Sequence, residues 1–322
     1  MTPHTPPQIS AEESELRDLP VAQIDRNPEN PRLVFRSGEM EELLESIRRY
    51  GIQVPVSVYR EGKKYVLIDG ERRWYCCRKL GKDKIPALVQ SKPTPLTNLL
   101  LMFNIHALRE QWDLLTIAMK VPRVTALLER DLGRKPTERE ISNHTGLKRS
   151  VIRRSRLLAD LPDKYKEDML DELKKPKPEQ RLTEDLFIEM ERALKTVERA
   201  LPGVIDNKDR VRQVLISKYE SGVIPNRVHF RNVAKIARAQ RVSVPTQAAT
   251  HALKRLFTSN KYSIDEAFND SVSTAYSERD IRTNAKVLLE QIDSLSTQTI
   301  GPELSQVLDE LYRKLRKILK HN

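Results

Sequence analysis

Apolar residues follow two different periods along this 322-residue chain, and the change comes near residue 97. Before that point, short runs with a period of two alternate with helical patterns, whereas only helical patterns follow it. Val54, Val56 and Val58 alternate with other residues, and the turn sequence EGKK leads into an apolar run at residues 65–68, which predicts a hairpin. The chain is therefore predicted to be α+β, with a small mixed domain followed by helices alone.

Further signals define the elements of the mixed domain. The segment LPVAQI, residues 19–24, predicts its first strand. Ser37 has the position of a helix N-cap, and Gly51 that of the left-handed residue that ends the same helix. A second helix is predicted from about residue 72 to residue 80, and a strand at residues 85–89 follows it.

The length of the chain predicts more than one domain. Residues 1–18 are predicted to be a flexible tail, and they lack the basic and apolar regions of a secretory signal, which favours a cytoplasmic location. The run KKPKPEQ, residues 174–180, contains two prolines and no core-forming side chain, which predicts a linker. The predicted domains are residues 19–95, residues 96–173 and residues 181–322.

The chain is basic, since Lys and Arg outnumber Asp and Glu by 57 to 45 and the sequence pI is about 9.6. This excess predicts attraction to a polyanion, either nucleic acid or an anionic membrane surface. No apolar run reaches the length that spans a bilayer, so a membrane is not an expected partner. Cys76 and Cys77 are adjacent on a predicted helix, which favours packing over a disulfide or a metal site.

The sequence Asp69-Gly70-Glu71-Arg72-Arg73 places a glycine at the end of a strand and two arginines in the first turn of a helix. Helix N-termini present unpaired N–H groups, glycine permits close backbone approach, and guanidinium groups bind phosphate oxygens in pairs. An acidic residue in a first turn also stabilises a plain helix through its dipole, with the arginines on a solvated face. The turn by itself leaves both interpretations open.

Five segments occur around this turn in one order: LPVAQI, NPENPR, ELLESIRRYGIQVPVSV, DGERRW and IPALV. Over about residues 19–90, this set resembles the N-terminal domain of the ParB chromosome- and plasmid-partition proteins. The resemblance implies a pocket that grips the triphosphate of a cytidine nucleotide, CTP. Its residues in this chain would be Arg32, Gly70, Glu71, Arg72 and Arg73.

A further ParB element, ENxxR, follows this domain and corresponds to residues 103–110 here. In ParB proteins its asparagine helps to hold Mg²⁺, which implies that role for Asn104. Arg109 matches the arginine of the element, although its spacing differs. Phe103 replaces a glutamate implicated in hydrolysis, and a phenyl ring cannot deprotonate a water. The resemblance therefore implies binding of CTP and Mg²⁺, and leaves weak CTPase activity open.

Residues 136–158 have the pattern of a helix-turn-helix motif. Thr137 and Glu140 form a predicted capping box, and Gly146 lies in the turn between two short helices. The second helix is apolar on one side and basic on the other, which suits the major groove of double-stranded DNA. A helical hairpin with a solvated basic face is the alternative. The predicted DNA-contacting residues are Lys148, Arg149, Ser150, Arg153, Arg154 and Arg156.

The stretch LLADLPDKYKEDML extends the ParB resemblance to about residue 172. The resemblance implies a nucleoid-associated homodimer with CTP-gated DNA binding, acting in DNA partition or in plasmid or mobile-element maintenance, with a partner ATPase. One alternative is a transcription regulator with a degenerate nucleotide pocket. The other is a phosphoryl-transfer enzyme, since the N-terminal domain also resembles sulfiredoxins and free-serine kinases. Sulfiredoxins use a cysteine in the turn that contains arginines here, which disfavours the enzyme.

The C-terminal domain is predicted to be all helical, with helices at residues 181–200, 208–220, 228–240 and 246–258. Basic residues between residues 227 and 241 add charge that a second DNA contact would use. Two apolar seams with a 4-3-4-3 spacing follow, which is typical of helices that pack along their length. A hairpin within the chain and self-association through the last helix both fit. The seam residues are Ile281, Ala285, Leu288, Ile292 and Leu295, then Leu304, Leu308, Leu311, Leu315 and Ile318.

Overall fold

The structure is a computed structural model and describes residues 14–30, 37–104, 112–295 and 300–319. It has the predicted α+β class, with one sheet near the N-terminal end and helices alone after it. The described residues form two compact units, and the division falls within helices rather than at the predicted linker. Unit 1 comprises the described parts of Met1–Thr196 and Tyr219–Arg231, and unit 2 those of Val197–Lys218 and Asn232–Asn322.

Unit 1 begins with a five-stranded mixed sheet. Its strands are β1 (Glu15–Pro20), β2 (Ile24–Asp25), β3 (Val56–Glu61), β4 (Lys64–Asp69) and β5 (Lys84–Gln90). Their order across the sheet is β1-β5-β3-β4-β2. The predicted hairpin is confirmed as the antiparallel pair β3 and β4. β5 lies parallel to β3 and antiparallel to β1, and β2 lies parallel to β4.

The prediction of a single strand at residues 19–24 was wrong. β1 begins at Glu15, inside the segment predicted to be a tail, and ends at Pro20. Val21–Gln23 form a 3-10 turn, and β2 follows it. Proline has no N–H with which to extend a strand ladder, and the N–H of Val21 donates to the carbonyl of Asp83 at 2.9 Å instead. The apolar run is therefore divided between two strands on opposite edges of the sheet.

Two helices, α1 (Ser37–Tyr50) and α2 (Glu71–Lys79), pack in the same core as the sheet. The end of α1 is as predicted, because Gly51 has φ +72° and its N–H donates to the carbonyl of Ile47 at 3.0 Å. The side chain of Ser37 lies outside the described residues, so its N-cap role stays a prediction. Cys76 and Cys77 are free and fully buried, which confirms that they are packing residues.

The remainder of unit 1 is helical among its described residues. Its helices are α3 (Pro95–Met102), α4 (Leu114–Leu132), α5 (Glu138–Thr145), α6 (Arg149–Ala159), α7 (Asp163–Lys174) and the first part of α8 (Glu184–Ala200). Phe103, Leu128, Ile141 and Ile152 belong to one buried cluster, which gives α3 to α6 a shared core. The predicted linker contains a short 3-10 turn, Lys177–Glu179, between α7 and α8.

Two carboxylates at the start of α8 join it to other helices of unit 1. Glu184 Oε1 accepts a hydrogen bond from the N–H of Leu115, in the first turn of α4, at 2.6 Å. Burial raises the pKa of Glu184 to about 7, although that hydrogen bond acts in the opposite direction. Asp185 Oδ1 accepts from Arg154 Nη2, on α6, at 2.6 Å. These contacts anchor α8 on α4 and α6.

Unit 2 is helical over the residues that the structure describes. The helices from residue 208 onward are α9 (Lys208–Glu220), α10 (Phe230–Ala237), α11 (Thr246–Thr258), α12 (Ile264–Asn269), α13 (Ser273–Asp293) and α14 (Pro302–Leu319). The single helix predicted at residues 228–240 was wrong, because 3-10 turns at Arg227–His229 and Ala239–Val242 flank α10. Lys218 Nζ, which is buried, donates to the carbonyls of Leu256 and Tyr262 and so ties α9 to the end of α11.

The two predicted apolar seams lie on α13 and α14. Leu288, Leu308 and Leu311 are half-buried. Most other seam residues are exposed, among them Ile281, Leu304, Leu315 and Ile318. None of the helices among the described residues is long and apolar enough to cross a membrane.

Candidate functional site

The turn from β4 into α2 contains four of the predicted site residues, and Gly70 determines its shape. Gly70 is the N-cap of α2 and has φ +95°, a left-handed conformation that favours glycine. Its N–H donates to Asp69 Oδ1 at 2.6 Å. A Cβ on Gly70 would lie 2.6 Å from Val56 Cγ1 and 3.0 Å from Arg73 Nη2. The backbone therefore approaches β3 too closely for any other residue.

Arg72 has a guanidinium group that the protein satisfies only in part. Its Nη2 donates to the carbonyl of Glu39 at 3.0 Å, and its Nη1 lies 3.4 Å from Glu39 Oε2. Its Nε is buried and has no hydrogen-bond partner among the described residues. A buried donor without a partner costs about 1–3 kcal/mol, which a bound acceptor would recover. Arg72 thus has the property expected of an anion-binding residue.

Arg73 is held by the protein itself. Its Nη1 donates to the carbonyls of Val54 and Pro55 at 2.6 and 2.7 Å, and its Nη2 donates to Asp69 Oδ2 at 3.0 Å. These bonds join the start of α2 and the end of β4 to the segment that precedes β3. Arg73 therefore orders the turn that contains Arg72, and its contact with a phosphate stays a prediction.

Glu71 is buried and accepts hydrogen bonds from Arg26 Nε and Asn30 Nδ2. These partners lie in the loop that follows β2. A carboxylate with two such donors holds the loop against the first turn of α2, in addition to any effect on the helix dipole. Glu71 therefore acts as a positioning residue here, and its contact with a nucleotide stays a prediction.

A cleft of about 470 Å³ lies between α1, α2 and the loop after β2. Three cations line it, Arg26, Arg78 and Lys79, together with the carboxylates of Glu41 and Glu71. Since Glu71 already binds Arg26, the remaining charge of the rim is mainly positive. Arg78 and Lys79 lie in the last turn of α2, and Arg72 does not line this cleft, so the cleft is distinct from the Arg72 guanidinium.

The remaining residues predicted for the nucleotide site, and Phe103 beside them, have different outcomes. Arg32 and Arg109 lie outside the described residues, so their nucleotide contacts stay predictions. Asn104 is exposed beyond the end of α3. Phe103 is fully buried and packs edge-on against Trp112, with ring centroids 5.0 Å apart. The position of the ParB glutamate is thus occupied by a core side chain, which has no acid or base to offer.

Three residues at this site were not identified from the sequence: Arg26, Asn30 and Glu39. They lie 45, 41 and 33 positions from the residues that they contact, which are Glu71 and Arg72. Spacing within one helix or strand cannot reveal pairs so far apart. Asn30 was part of the NPENPR segment, and that was the only available signal.

The helices α5 and α6 form a second candidate site in unit 1. The predicted capping box is present, because Thr137 Oγ1 accepts from the N–H of Glu140 at 3.2 Å and Glu140 Oε2 accepts from the N–H of Thr137 at 2.7 Å. Gly146 ends α5 with φ +72°. Leu147 and Ile152 are buried, as the predicted apolar side requires. The result is a pair of short helices joined by a tight turn.

The six predicted DNA-contacting residues fall into two groups. Lys148, Arg149, Ser150 and Arg153 are exposed, and Arg154 and Arg156 are half-buried. Glu138, at the start of α5, accepts a hydrogen bond from Arg149 Nε at 2.8 Å and lies 3.8 Å from Arg153 Nε. Arg154 binds Asp185 of α8 instead. The exposed group is therefore the one available to an external ligand.

Catalysis by a cysteine thiol, or by a metal ion held by carboxylates, has little support at the start of α2. Burial raises the pKa of both Cys76 and Cys77, and a thiol with a raised pKa is mostly protonated at neutral pH and reacts poorly as a nucleophile. Among the described residues, no group of three or more His, Cys, Asp or Glu side chains is arranged to hold a metal ion. The geometry favours binding of an anion over sulfiredoxin-type chemistry.

Comparison with known proteins gives a match to one family model and matches to several relatives. Residues 6–104 match the family model described as the ParB N-terminal domain. A probable chromosome-partitioning protein ParB of Pseudomonas putida is 31% identical over 160 residues, which are 49% of this chain and 52% of that protein. A nucleoid occlusion protein of Bacillus cereus is 29% identical over 159 residues, with the same shares. The chain spans about half the length of the curated relatives it matches.

A solved structure is also similar in sequence to part of the chain. It is the C-terminally truncated ParB of Caulobacter crescentus in complex with CTP-gamma-S, at 27% identity over 49% of this chain and 84% of that one, with a TM-score of 0.28. A score this low establishes no common overall arrangement, so the assignment rests on the sequence match. Residues 6–104 are similar to the ParB N-terminal domain, which confirms the predicted resemblance.

Proposed function

We propose that this chain is a DNA-binding protein whose binding is gated by CTP, acting in DNA partition or in plasmid or mobile-element maintenance. The first turn of α2 binds the triphosphate, and α5 with α6 docks on double-stranded DNA. Nucleotide binding changes how two protomers enclose DNA, and a partner ATPase acts with them in partition. The observation that carries this proposal is the buried Nε of Arg72, which lacks a partner among the described residues.

The phosphate site is supported by the geometry at the start of α2. The first N–H groups of a helix have no partner within it and lie at the positive end of the helix dipole. The side chain of Arg72 is 27% exposed, so part of it is accessible to solvent although its Nε is buried. The Glu39 carboxylate at 3.4 Å now balances that charge, and a triphosphate, with more negative charge, would displace it.

The resemblance to ParB proteins supports cytosine as the base and Mg²⁺ as the metal ion. Arg32 and Arg109 would complete the nucleotide contacts, and the Asn104 amide oxygen would hold Mg²⁺, a hard cation that prefers oxygen ligands. Mg²⁺ would offset the charge of the phosphates. Since Phe103 is a core residue, the chain lacks the family's hydrolytic glutamate, and we propose a binding switch with at most weak CTPase activity.

Double-stranded DNA is supported by the exposed end of α6. Residues at the N-terminal end of a recognition helix reach base edges in the major groove, and arginine pairs best with guanine. Lys148 and Arg149 are exposed at that end, and Arg153 lies one turn further on. Glu138 Oε1 lies 2.8 Å from Arg149 Nε and 3.8 Å from Arg153 Nε, so both arginines would exchange this carboxylate for phosphate or base contacts on binding DNA.

Replacement of Arg72 with alanine tests the nucleotide switch. We expect Arg72→Ala to weaken CTP binding about 10- to 100-fold, because it removes a charge-assisted hydrogen bond to phosphate. Isothermal titration of the full chain with CTP, with Mg²⁺ and with EDTA, measures this change and the contribution of the metal. Retention of DNA in the presence of CTP should fall in parallel.

Arg48→Ala is the matched control, because Arg48 is an exposed arginine whose ion-pair partner among the described residues is Glu45 on its own helix. It should leave CTP affinity unchanged. A transcription regulator without a nucleotide switch would behave differently, since its site-specific DNA binding would be the same in wild type and Arg72→Ala, with or without CTP. Absence of CTP binding by the wild-type chain would contradict the proposal directly.

We propose that two copies of this chain associate through α13 and α14. The exposed apolar residues of these helices follow the spacing of a helical packing seam and have no cover among the described residues. The double variant Leu304→Asp/Leu315→Asp should convert a dimer into a monomer of 37.3 kDa in sedimentation analysis. Tyr50→Asp, at an exposed residue of α1, is the control and should stay dimeric. A wild-type chain that sediments as a monomer would rule out this interface.

A further inference from the structure

Residues 232–263 of unit 2 have positive charge that the protein leaves unbalanced. This segment contains six Lys or Arg residues and no Asp or Glu. Among the described residues, only one of the six lies within ion-pair distance of a carboxylate: Arg255, whose Nη1 is 3.8 Å from Asp270 Oδ2. The charge is therefore available to an external anion. The six cations are Lys235, Arg238, Arg241, Lys254, Arg255 and Lys261.

Three of these cations lie along one side of α10 and the 3-10 turn that follows it. Lys235, Arg238 and Arg241 are three residues apart, and side chains at that spacing share a helix face. Lys235 Nζ lies 5.4 Å and 5.7 Å from the ring centroids of Phe268 and Tyr276. These rings hold the ammonium in place without neutralising its charge. The result is a row of three cations on one face.

The helix α11 has an exposed polar stripe. Gln247, His251 and Lys254 follow a 4-3 spacing and are exposed, whereas Ala249 and Leu253 are fully buried. Glutamine and lysine contact base edges and phosphates in the major groove. The stripe begins in the first turn of α11, which is where recognition helices meet DNA.

The turn between the two elements is tight. Ser243 has φ +59°, and no other non-glycine residue in the described part of the chain has a positive φ. It lies between the 3-10 turn Ala239–Val242 and α11, and its N–H donates to the carbonyl of Gln240 at 3.2 Å. A left-handed residue between two helical segments also occurs between α5 and α6, at Gly146. Both turns therefore contain a left-handed residue directly after the first helical segment.

Duplex DNA fits this surface better than other polyanions. Single-stranded nucleic acids stack on exposed aromatic side chains, but Phe257 and Tyr262 are each only 4% exposed. An anionic membrane also requires large apolar side chains on the binding face, and the described residues 232–263 expose none. Duplex RNA has a major groove too narrow for a helix. The wide major groove of B-form DNA accepts both the helix and the flanking cations.

We propose that unit 2 has a second contact surface for double-stranded DNA, formed by α10, the 3-10 turn after it and α11. Its cations bind phosphates on both sides of a groove, and the polar stripe of α11 faces the bases. This surface belongs to unit 2, whereas the α5–α6 site belongs to unit 1, and its proposed contacts use no residue of the nucleotide site.

The test uses the full chain with the α5–α6 site weakened by Arg149→Ala/Arg153→Ala. In that background, Arg238→Gln/Arg241→Gln/Lys254→Gln removes three cations of the proposed surface. Fluorescence anisotropy with a labelled duplex of random sequence should show at least about a 10-fold loss of affinity. The slope of log K against log salt should also fall by about 2–3, since each lost phosphate contact contributes about 0.9.

The matched control in the same background is Arg48→Gln/Arg49→Gln/Lys92→Gln, which makes the same change in net charge in unit 1. It should leave both quantities nearly unchanged, and an equal loss in the control would overturn the proposal. Labelled duplex RNA and phosphatidylserine vesicles are the competing probes. Tighter binding of either one than of duplex DNA, with the same sensitivity to the triple substitution, would also overturn it.

A second measurement needs no substitution and so does not depend on the folding of a variant. Lysines of the wild-type chain are acetylated with and without the random duplex, and each site is quantified by mass spectrometry. Lys254 should be protected at least about threefold by DNA. Lys92, which binds Glu61, should show no protection. Equal acetylation of Lys254 in both samples would rule out contact at α11.

Discussion

Gly70→Ala is expected to destabilise the protein by about 2–5 kcal/mol. A left-handed conformation costs a non-glycine residue about 1–2 kcal/mol, and overpacking of a well-packed site costs about 1–3 kcal/mol. Both costs apply here, because φ is +95° and the new Cβ would lie 2.6 Å from Val56 Cγ1. The urea midpoint, followed by the fluorescence of buried Trp74, should fall accordingly. CTP binding should be lost as well, since the same turn orients Arg72.

Gly81→Ala is a matched control for this prediction. Gly81 is also left-handed, with φ +65°, but a Cβ there would meet nothing within 4 Å. Its substitution should cost only the conformational part, about 1–2 kcal/mol. The difference between the two variants measures the close approach of Gly70 to β3. Equal destabilisation by both substitutions would show that no such approach exists.

Arg149→Ala/Arg153→Ala is expected to reduce the affinity for specific DNA about 100- to 1,000-fold. A good contact between arginine and guanine contributes about 1–3 kcal/mol, and each lost phosphate contact adds to the effect. Loss of both arginines also leaves the Glu138 carboxylate, which they now bind, facing the polyanion. Anisotropy or filter binding with DNA that co-purifies with the protein measures the change.

Arg154→Ala is the control that separates the loss of base contacts from a general loss of positive charge on α6. Arg154 lies on the same helix but is half-buried and donates to Asp185. It should reduce DNA affinity less than about threefold, because its guanidinium is engaged within unit 1. A loss as large as that of the double variant would mean that α6 presents a different face to DNA.

Local patterns were sufficient for several elements of this fold. The hairpin β3–β4 follows from an alternation of valines and a polar turn, and the end of α2 follows from Gly81, which has φ +65°. The capping box at Thr137 and Glu140 follows from a three-residue spacing, which the structure reproduces hydrogen bond by hydrogen bond. Each of these signals lies within a few residues, so it can be identified from the sequence alone.

Other features depend on partners that are distant in sequence. The run at residues 19–24 is divided because Val21 bonds to Asp83 beyond the end of β1. Glu71 had two local interpretations, and neither included its hydrogen bonds to Arg26 and Asn30. These outcomes depend on how strands and loops come together, which no local spacing encodes.

The sequence cannot distinguish the two arginines of the turn, whereas the tertiary structure does. In the sequence they are equivalent, since both follow Gly70 in the first turn of α2 and both suit a phosphate. In the structure, Arg73 is occupied by three acceptors from the segment before β3 and the end of β4, whereas the buried Nε of Arg72 has none among the described residues. Only the packing of α2 against β3 distinguishes the structural arginine from the candidate ligand.

The sequence by itself determined that this chain begins with a ParB-like α+β domain, that helices follow, and that an arginine-rich turn starts one of them. Periodicity, capping residues and ordered motifs are local, and they are readable without a structure. The tertiary structure decided which groups at that turn are already engaged, that Phe103 is a core residue, and that the cations of residues 232–263 lack carboxylate partners apart from Asp270 beside Arg255, within the described parts of the chain. The physical reason is that hydrogen bonds, burial and charge balance depend on distances between residues far apart in sequence.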